Sequence, residues 1–453
     1  MTMLFERIES PGLAHYSYLI GDKGEALVID PRRDCEIYLE KAVKNGFDIK
    51  NILETHRNED YVIGSLELAK KTNAQIWHAD TQLKYGYGND VEDGQKWKVG
   101  GFTIEAMLTP GHTPGHMSYL LYDKSREPWM IFTGDALFAG DVGRVDLADP
   151  EKKEEMARKL YDSLYEKILP LGDEVIVCPS HGPGSVCGNV IEDRPWTTIG
   201  TEKKLNPNLQ HENKEEFVKN VAKVLERPPY FREMERLNLD GPPVLGHIPA
   251  PQPLSPDEFE SKTNKAEILD TRSELSFNSA HVPEALSIWQ DGLPKFAGWF
   301  LPYETPILLV NETDNPTDTM RHLIRLGYDN VQGFLSGNML SWHKSGRASE
   351  RIDTVTVDET CTLLDKGENI LVLDVRNEKE VEKNRIQGAK NIHLTQLPER
   401  LNEIPDDKNI YIFCGSGLRS TTAASILRRE GFKGIHVVLG GTAGWNSRTC
   451  PIE

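Results

Sequence analysis

Short apolar runs alternate with amphipathic stretches along most of the chain. Gly24-Glu-Ala-Leu-Val-Ile-Asp30, Phe102-Thr-Ile-Glu-Ala-Met107 and Met130-Ile-Phe-Thr133 have the composition of strands, and Cys35 to Asn45 and Pro150 to Leu169 read as helices between them. In the second half, strands Ile307 to Val310 and Asn409 to Phe413 alternate with helical stretches such as Ser420 to Glu430. That alternation predicts parallel α/β sheets. The opening Met1-Thr-Met-Leu-Phe-Glu-Arg7 alternates like a strand and lacks the basic then apolar order of a signal peptide.

An internal repeat divides the second half. Ile268-Leu-Asp-Thr-Arg272 recurs as Leu371-Val-Leu-Asp-Val-Arg376, and Val282-Pro-Glu-Ala285 as Ile386-Gln-Gly-Ala389, both at a spacing of 104 residues. Leu326-Gly-Tyr328 maps onto Glu430-Gly-Phe432 at the same spacing, and Trp342 and Trp445 close the two copies. The expected domains are residues 1–245, 254–348 and 352–453, with proline-rich Gly241 to Pro253 as a semi-rigid linker. The second copy is expected to work as an isolated domain.

Composition narrows the function. A chain of 453 residues, 38% hydrophobic and 27% charged, is globular and forms about three domains. Its net charge of −18 disfavours nucleic-acid and membrane-surface partners. No apolar run is long enough to span a bilayer, so a cytoplasmic protein is expected. Six dispersed cysteines without a C-x-x-C pair read as reduced thiols.

Strand Asn409-Ile-Tyr-Ile-Phe413 runs into Cys414-Gly-Ser-Gly-Leu-Arg419 and then a helix. A glycine-rich turn feeding a helix N-terminus gathers backbone N–H groups and positive potential, which stabilises a thiolate or persulfide anion. Cys414 and Arg419 are the candidate catalytic pair, with Gly415, Ser416, Gly417 and Leu418 cradling the substrate sulfur. The loop resembles the rhodanese (sulfurtransferase) family, as do the repeated strings around Arg376 and Ala389. The arginine five residues after the cysteine favours sulfur, since related phosphatases carry one residue more. The first copy places Val310 or, with a one-residue gap, Asn311 at the nucleophile position and should be silent. Its Asp270 and Arg272, like Asp374 and Arg376, read as fold-holding ion pairs.

Upstream, Thr55-His-Arg-Asn-Glu-Asp-Tyr61, Thr109-Pro-Gly-His-Thr-Pro-Gly-His116, Thr133-Gly-Asp135, Gly140-Asp-Val-Gly-Arg144 and Pro179-Ser-His-Gly182 follow strand ends in order. Together they resemble the metallo-β-lactamase fold. The implied architecture is an αββα sandwich followed by two rhodanese-like α/β domains with parallel sheets. Two-metal hydrolases of that fold use H-x-H-x-D-H, and here the second and third histidines are Asn58 and Tyr61. His56, His112 and Asp135 survive as two imidazoles and a carboxylate, a set suited to one non-haem Fe(II) per chain. Asn58, Asp60, Tyr61 and His181 would surround it, and Asp60, Asp135 and His181 form a competing set at the other position. His116 reads as a supporting histidine. Arg144 could anchor an anionic thiol or clamp a turn; Cys187 could meet a persulfide or simply fill the core.

The whole chain resembles persulfide dioxygenase–rhodanese fusion proteins. That resemblance implies oxidation of a low-molecular-weight persulfide by O2 to sulfite, rhodanese sulfur transfer giving thiosulfate, and a homo-oligomer, dimer or tetramer. A sulfane-sulfur carrier whose first domains are binding modules, or a thioester hydrolase resembling glyoxalase II, are the alternatives.

Overall fold

The computed structural model describes residues 3–188 and 190–448. They form two compact units: one runs to Ile248 and takes in Ile324–Gly327, and the other holds Pro249–Leu323 and continues from Tyr328.

The first unit is an αββα sandwich. One six-stranded sheet follows chain order, from Leu4–Ser10 through His15–Asp22, Glu25–Ile29, Asp48–Leu53 and Gln75–His78 to Asn89–Asp90. The other is ordered Thr197–Thr198, Ile176–Pro179, Pro128–Gly134, Met117–Tyr122, Phe102–Leu108 and Lys96–Val99. Strand alternation builds the layers. Ile20, Leu27 and Leu53 of the first sheet and Ile104, Tyr119 and Phe132 of the second share one core. Their neighbours Leu19, Val28 and Ile52 turn to the opposite face, where Tyr38, Ala42 and Leu68 of two helices cover them. Leu120, Ile131 and Val177 do the same beneath Met156, Leu160 and Phe217. Helix Glu36–Asn45 stops where Gly46 takes φ +71°, a left-handed conformation that suits glycine. The helix expected from Pro150 to Leu169 is a composite: a 3-10 turn, the α-helix Lys153–Asp162 and a π segment Ser163–Ile168.

The second unit contains both repeats. Their five-stranded parallel sheets have the same topology, and Asp270 pairs with Val310 where Asp374 pairs with Phe413. This register sets Asn311 in the place of Cys414. Arg272 and Arg376 each grip their aspartate at 2.5 and 2.6 Å, and each also donates to a carbonyl, of Ala280 and Asn384 respectively. The repeats pack through helix Leu418–Arg429, whose residues Ser420 to Leu427 are all buried. Asn278 donates to Thr421 Oγ1 at 3.0 Å, the Ser287 N–H donates to Ser425 Oγ at 3.1 Å, and Arg429 pairs with Glu267 at 2.6 Å.

Among the described residues no helix is long and apolar enough to cross a membrane. Cys35, Cys178, Cys187 and Cys414 are free thiols, whereas Cys361 is disulfide-bonded; this corrects the expectation that every cysteine is reduced. The linker after helix Phe231–Asp240 has no regular structure before strand Pro253–Leu254, and the Leu245 N–H is held by Glu67 at 2.7 Å.

Candidate metal centre and sulfur-transfer loop

The metal-ligand candidates converge because the strands of both sheets end at one edge. His56 follows Asp48–Leu53, His112 follows Phe102–Leu108, Asp135 follows Pro128–Gly134 and His181 follows Ile176–Pro179. Asp135 Oδ2 lies 3.8, 3.4 and 3.6 Å from the Nε2 atoms of His56, His112 and His181. All four side chains are at most 1% exposed. His56 Nε2, His112 Nε2, both ring nitrogens of His181 and both oxygens of Asp135 are buried without a hydrogen-bond partner. Buried polar groups are almost always satisfied, so this concentration of orphaned donor atoms fits a cation.

Other contacts fix the ligands. His56 Nδ1 bonds Thr55 Oγ1 at 2.9 Å, and that hydroxyl donates to Asp30 at 2.8 Å. The Arg144 carbonyl accepts from His112 Nδ1 at 2.9 Å, which turns Nε2 toward Asp135. The Asp135 N–H donates to His116 Nε2 at 3.0 Å, and the other nitrogen of His116 bonds Thr109. His116 therefore positions Asp135 and has no nitrogen left to bind a metal. Gly143 passes so close that an added Cβ would collide with the Asp135 carbonyl oxygen.

Glu59 also enters this cluster, a residue the spacing of the sequence did not single out. It is fully buried, with Oε2 unpartnered 3.8 Å from His112 Nε2 and Oε1 3.3 Å from Arg57. Its ligand atom groups with those of His56 and His112. Burial opposes the charge on His112, but the Asp135 and Glu59 carboxylates outweigh it and push the pKa up to about 9. His56 is driven well below the ordinary histidine range by burial and then by His112. Burial and the Glu59 charge push Asp60 up to about 8.

A cavity of about 260 Å³ is lined by Glu59, Arg57, Arg227, Glu235, Thr113 and Asp80 among others. Arg57 and Arg227 both donate to Glu235. Asn58 gives no ligand here; its amide donates to the His56 carbonyl at 3.3 Å. Tyr61 lays its ring on His15, centroids 4.0 Å apart. Arg144 has the contacts of a clamp. Its guanidinium pairs with Asp146 at 2.7 and 2.8 Å and donates to the carbonyls of Val186, Leu225 and Glu226. Cys187 is buried, and its sulfur groups with ligand atoms of His112 and Asp135 and with those of Asp60 and His181.

In the second unit, Cys414 closes strand Asn409–Phe413 and is 1% exposed, with Sγ accepting the Gly417 N–H at 3.1 Å. Gly417, at φ +131°, caps the helix, which starts at Leu418, two residues before the expected Ser420. Arg419 forks onto Glu380 at 2.7 and 2.7 Å and lies against Gly415. Glu380 is placed by local sequence: it is the third residue of helix Glu378–Lys383 and completes a capping box with Asn377. The Arg419 guanidinium holds its carboxyl below the usual range. His393 is pushed down to about 4 by burial and then by the charges of Arg419 and Lys295. Lys295 belongs to the first repeat.

Two family models match separate parts of the chain. The metallo-beta-lactamase superfamily model matches residues 10–181, and the rhodanese-like domain model matches residues 255–345 and 356–448. Over 214 residues the chain is 28% identical to hydroxyacylglutathione hydrolase GloC of Haemophilus influenzae, covering 43% of this chain and 91% of that protein. Over 241 residues it is 30% identical to persulfide dioxygenase ETHE1 of Bos taurus, covering 49% and 82%. A crystal structure of a metallo-beta-lactamase from Staphylococcus aureus superposes with a TM-score of 0.67 at 29% identity, over 74% of this chain and 99% of that one. The chain belongs to the metallo-beta-lactamase superfamily and carries two rhodanese-like domains behind that fold, in the manner of a persulfide dioxygenase–rhodanese fusion.

Proposed function

We propose that the protein oxidises a low-molecular-weight persulfide to sulfite at one ferrous ion held by His56, His112 and Asp135, and that Cys414 passes sulfane sulfur to that sulfite. The observation that carries this reading is the set of orphaned atoms, His56 Nε2, His112 Nε2 and the Asp135 oxygens, in a fold whose other two histidine positions are Asn58 and Tyr61. Similarity to persulfide dioxygenase ETHE1 supports it. The overall change is RSSH + O2 + H2O to RSH + sulfite + two protons. A ferrous ion in this set would supply electrons to dioxygen and Lewis acidity toward sulfur.

The chain itself supplies order and charge. The Arg144 carbonyl and Thr55 hydroxyl hold the two imidazoles, and His116 holds Asp135. Arg57 and Arg227 line the cavity beside Glu59, each paired with Glu235, and would exchange that carboxylate for an anionic group of the carrier thiol. Burial excludes bulk water from the reacting sulfur. At the other centre, the Cys414 thiolate takes the outer sulfur of a second RSSH, releasing RSH; sulfite then attacks the outer sulfur of the Cys414 persulfide, the S–S bond breaks, thiosulfate forms, and the electron pair stays on the Cys414 thiolate beside Arg419.

A second reading, thioester hydrolysis, is favoured by similarity to hydroxyacylglutathione hydrolases and by Asp60 and Asp135 standing 3.7 and 3.6 Å from His181 Nε2. Anaerobic purification, elemental analysis and oxygen uptake separate the two. The expected result is one iron per chain and uptake with a persulfide, both lost in His56→Ala. Two zinc ions without iron, or iron retained in that variant, overturns the iron triad.

A further inference from the structure

The silent first repeat reaches the sulfur-transfer loop of the second. A Cβ added to Gly417 would stand 3.6 Å from Cγ of Glu274, which opens helix Glu274–Ser279. Further along helix Leu418–Arg429, Asn278 meets Thr421 and Ser287 meets Ser425. Lys295 comes from the same repeat, on helix Leu293–Phe300, and lies within electrostatic reach of Arg419 and Glu380. Its neighbours Leu293, Pro294 and Phe296 are buried and hold the helix, while Lys295 itself is exposed. Its Nζ stands 5.8 Å from the centroid of the Phe296 ring, and it makes no hydrogen bond or ion pair with any described residue.

Chemistry at Cys414 brings anions together. Sulfite and thiosulfate carry their charge on oxygen, and the persulfide they meet or leave is itself anionic, so a cation without a partner lowers the repulsion. Arg419 is not such a cation, because it forks onto the Glu380 carboxylate with two hydrogen bonds of 2.7 Å. His393, pushed down to about 4, is neutral at neutral pH. Glu274 adds a carboxylate on the Gly417 side. Of these groups, only Lys295 brings a positive charge that no carboxylate has taken. At the 104-residue spacing of the repeats, Leu293-Pro-Lys295 corresponds to Leu397-Pro-Glu399, so the charge belongs to the first repeat alone. Desolvation and then the Arg419 charge hold this ammonium below the ordinary lysine range, with Glu380 acting the other way.

We infer that Lys295 is the oxyanion-binding residue of the Cys414 centre, its ammonium holding the oxygens of sulfite on the way in and of thiosulfate on the way out. The inference rests on the proposed sulfur transfer through Cys414. The sulfite sulfur bonds the outer sulfur of the persulfide, the bond to Cys414 Sγ breaks, and Lys295 exchanges no proton. A repeat that lacks a nucleophile thereby completes the site of the repeat that has one.

Two alkylating agents that differ in charge provide the test. Full-length protein is treated with iodoacetate, an anion, or with iodoacetamide, its neutral analogue, and mass spectrometry follows the Cys414 peptide. A change in the thiolate pKa alters both rates together, so their ratio reads the local cation. Lys295→Ala should lower the iodoacetate-to-iodoacetamide ratio about tenfold, and Lys295→Arg should restore it. Thermal melts should stay unchanged, because the side chain is exposed. In thiosulfate formation from a persulfide, Lys295→Ala should raise the KM for sulfite by the same factor and leave kcat within about twofold. An unchanged alkylation ratio in Lys295→Ala overturns the site, and a lowered ratio with an unchanged KM for sulfite overturns sulfite as its ligand. Failure of the sulfur-transfer reading shows elsewhere, as enzymatic thiosulfate formation that survives Cys414→Ser, and the alkylation ratio still decides for or against Lys295.

Discussion

Arg144 shows how much of the metal centre rests on one backbone carbonyl. Its guanidinium is saturated by Asp146 and three carbonyls, and its own carbonyl orients His112. Removing the carboxylate would strand a buried charge, which costs about 3–5 kcal/mol. Asp146→Ala should therefore lower the unfolding free energy from urea melts by that much while leaving the KM for persulfide nearly unchanged. A raised KM with stability shifted by less than about 1 kcal/mol would instead make Arg144 a substrate anchor. The histidines and Asp135 were legible in the sequence because ligand types just after strand ends are an ordered signal. Glu59 was not, because an acid in a charged loop reads the same whether it faces solvent or the site. Arg57 and Arg227 could not be joined either, since only the fold brings residues 57 and 227 to one cavity.

At the scale of elements, helix Leu418–Arg429 decides what can fold alone. Thr421, Thr422, Ala423, Ala424 and Ser425 give it small residues on every face, and each is buried. Small residues all round let neighbours approach on both sides, and here the second neighbour is the first repeat, through Asn278 and Ser287. The repeat itself was plain from its 104-residue spacing. Its packing was not, because a polar threonine or serine looks solvent-facing until a partner is placed on it. The expectation that the second copy works in isolation is revised accordingly. A fragment of residues 352–453 should be unstable and poor in thiosulfate sulfurtransferase activity, having also lost Lys295. A fragment starting at Pro249 should fold and keep the activity. Thermal melts and sulfurtransferase assays of the two fragments check this, and a stable, fully active short fragment would show the repeat interface to be dispensable.

For the molecule as a whole, the proposed function places two centres on one chain that carries a net charge of −18. In one unit Arg57 and Arg227 line the cavity together with Glu59, Asp80 and Glu235, and in the other Arg419 and Lys295 both act on His393 beside the loop. Persulfide oxidation alone ends at sulfite and free thiol. A persulfidated Cys414 can hand its outer sulfur to sulfite because sulfite is a good sulfur acceptor and a thiolate at a helix N-terminus is a competent leaving group. Under the proposed function, thiosulfate is the expected main product of the intact chain. Cys414→Ser should shift the product from thiosulfate to sulfite and leave oxygen uptake nearly unchanged, because His56, His112 and Asp135 lie in the other compact unit. The measurement is sulfite and thiosulfate release under air with a persulfide substrate, corrected for thiosulfate formed directly from sulfite and persulfide. Equal thiosulfate from both proteins above that correction would mean that the centres do not act in sequence. Sulfur transfer through Cys414 without oxygen uptake in either protein would mean that the chain is a sulfur carrier.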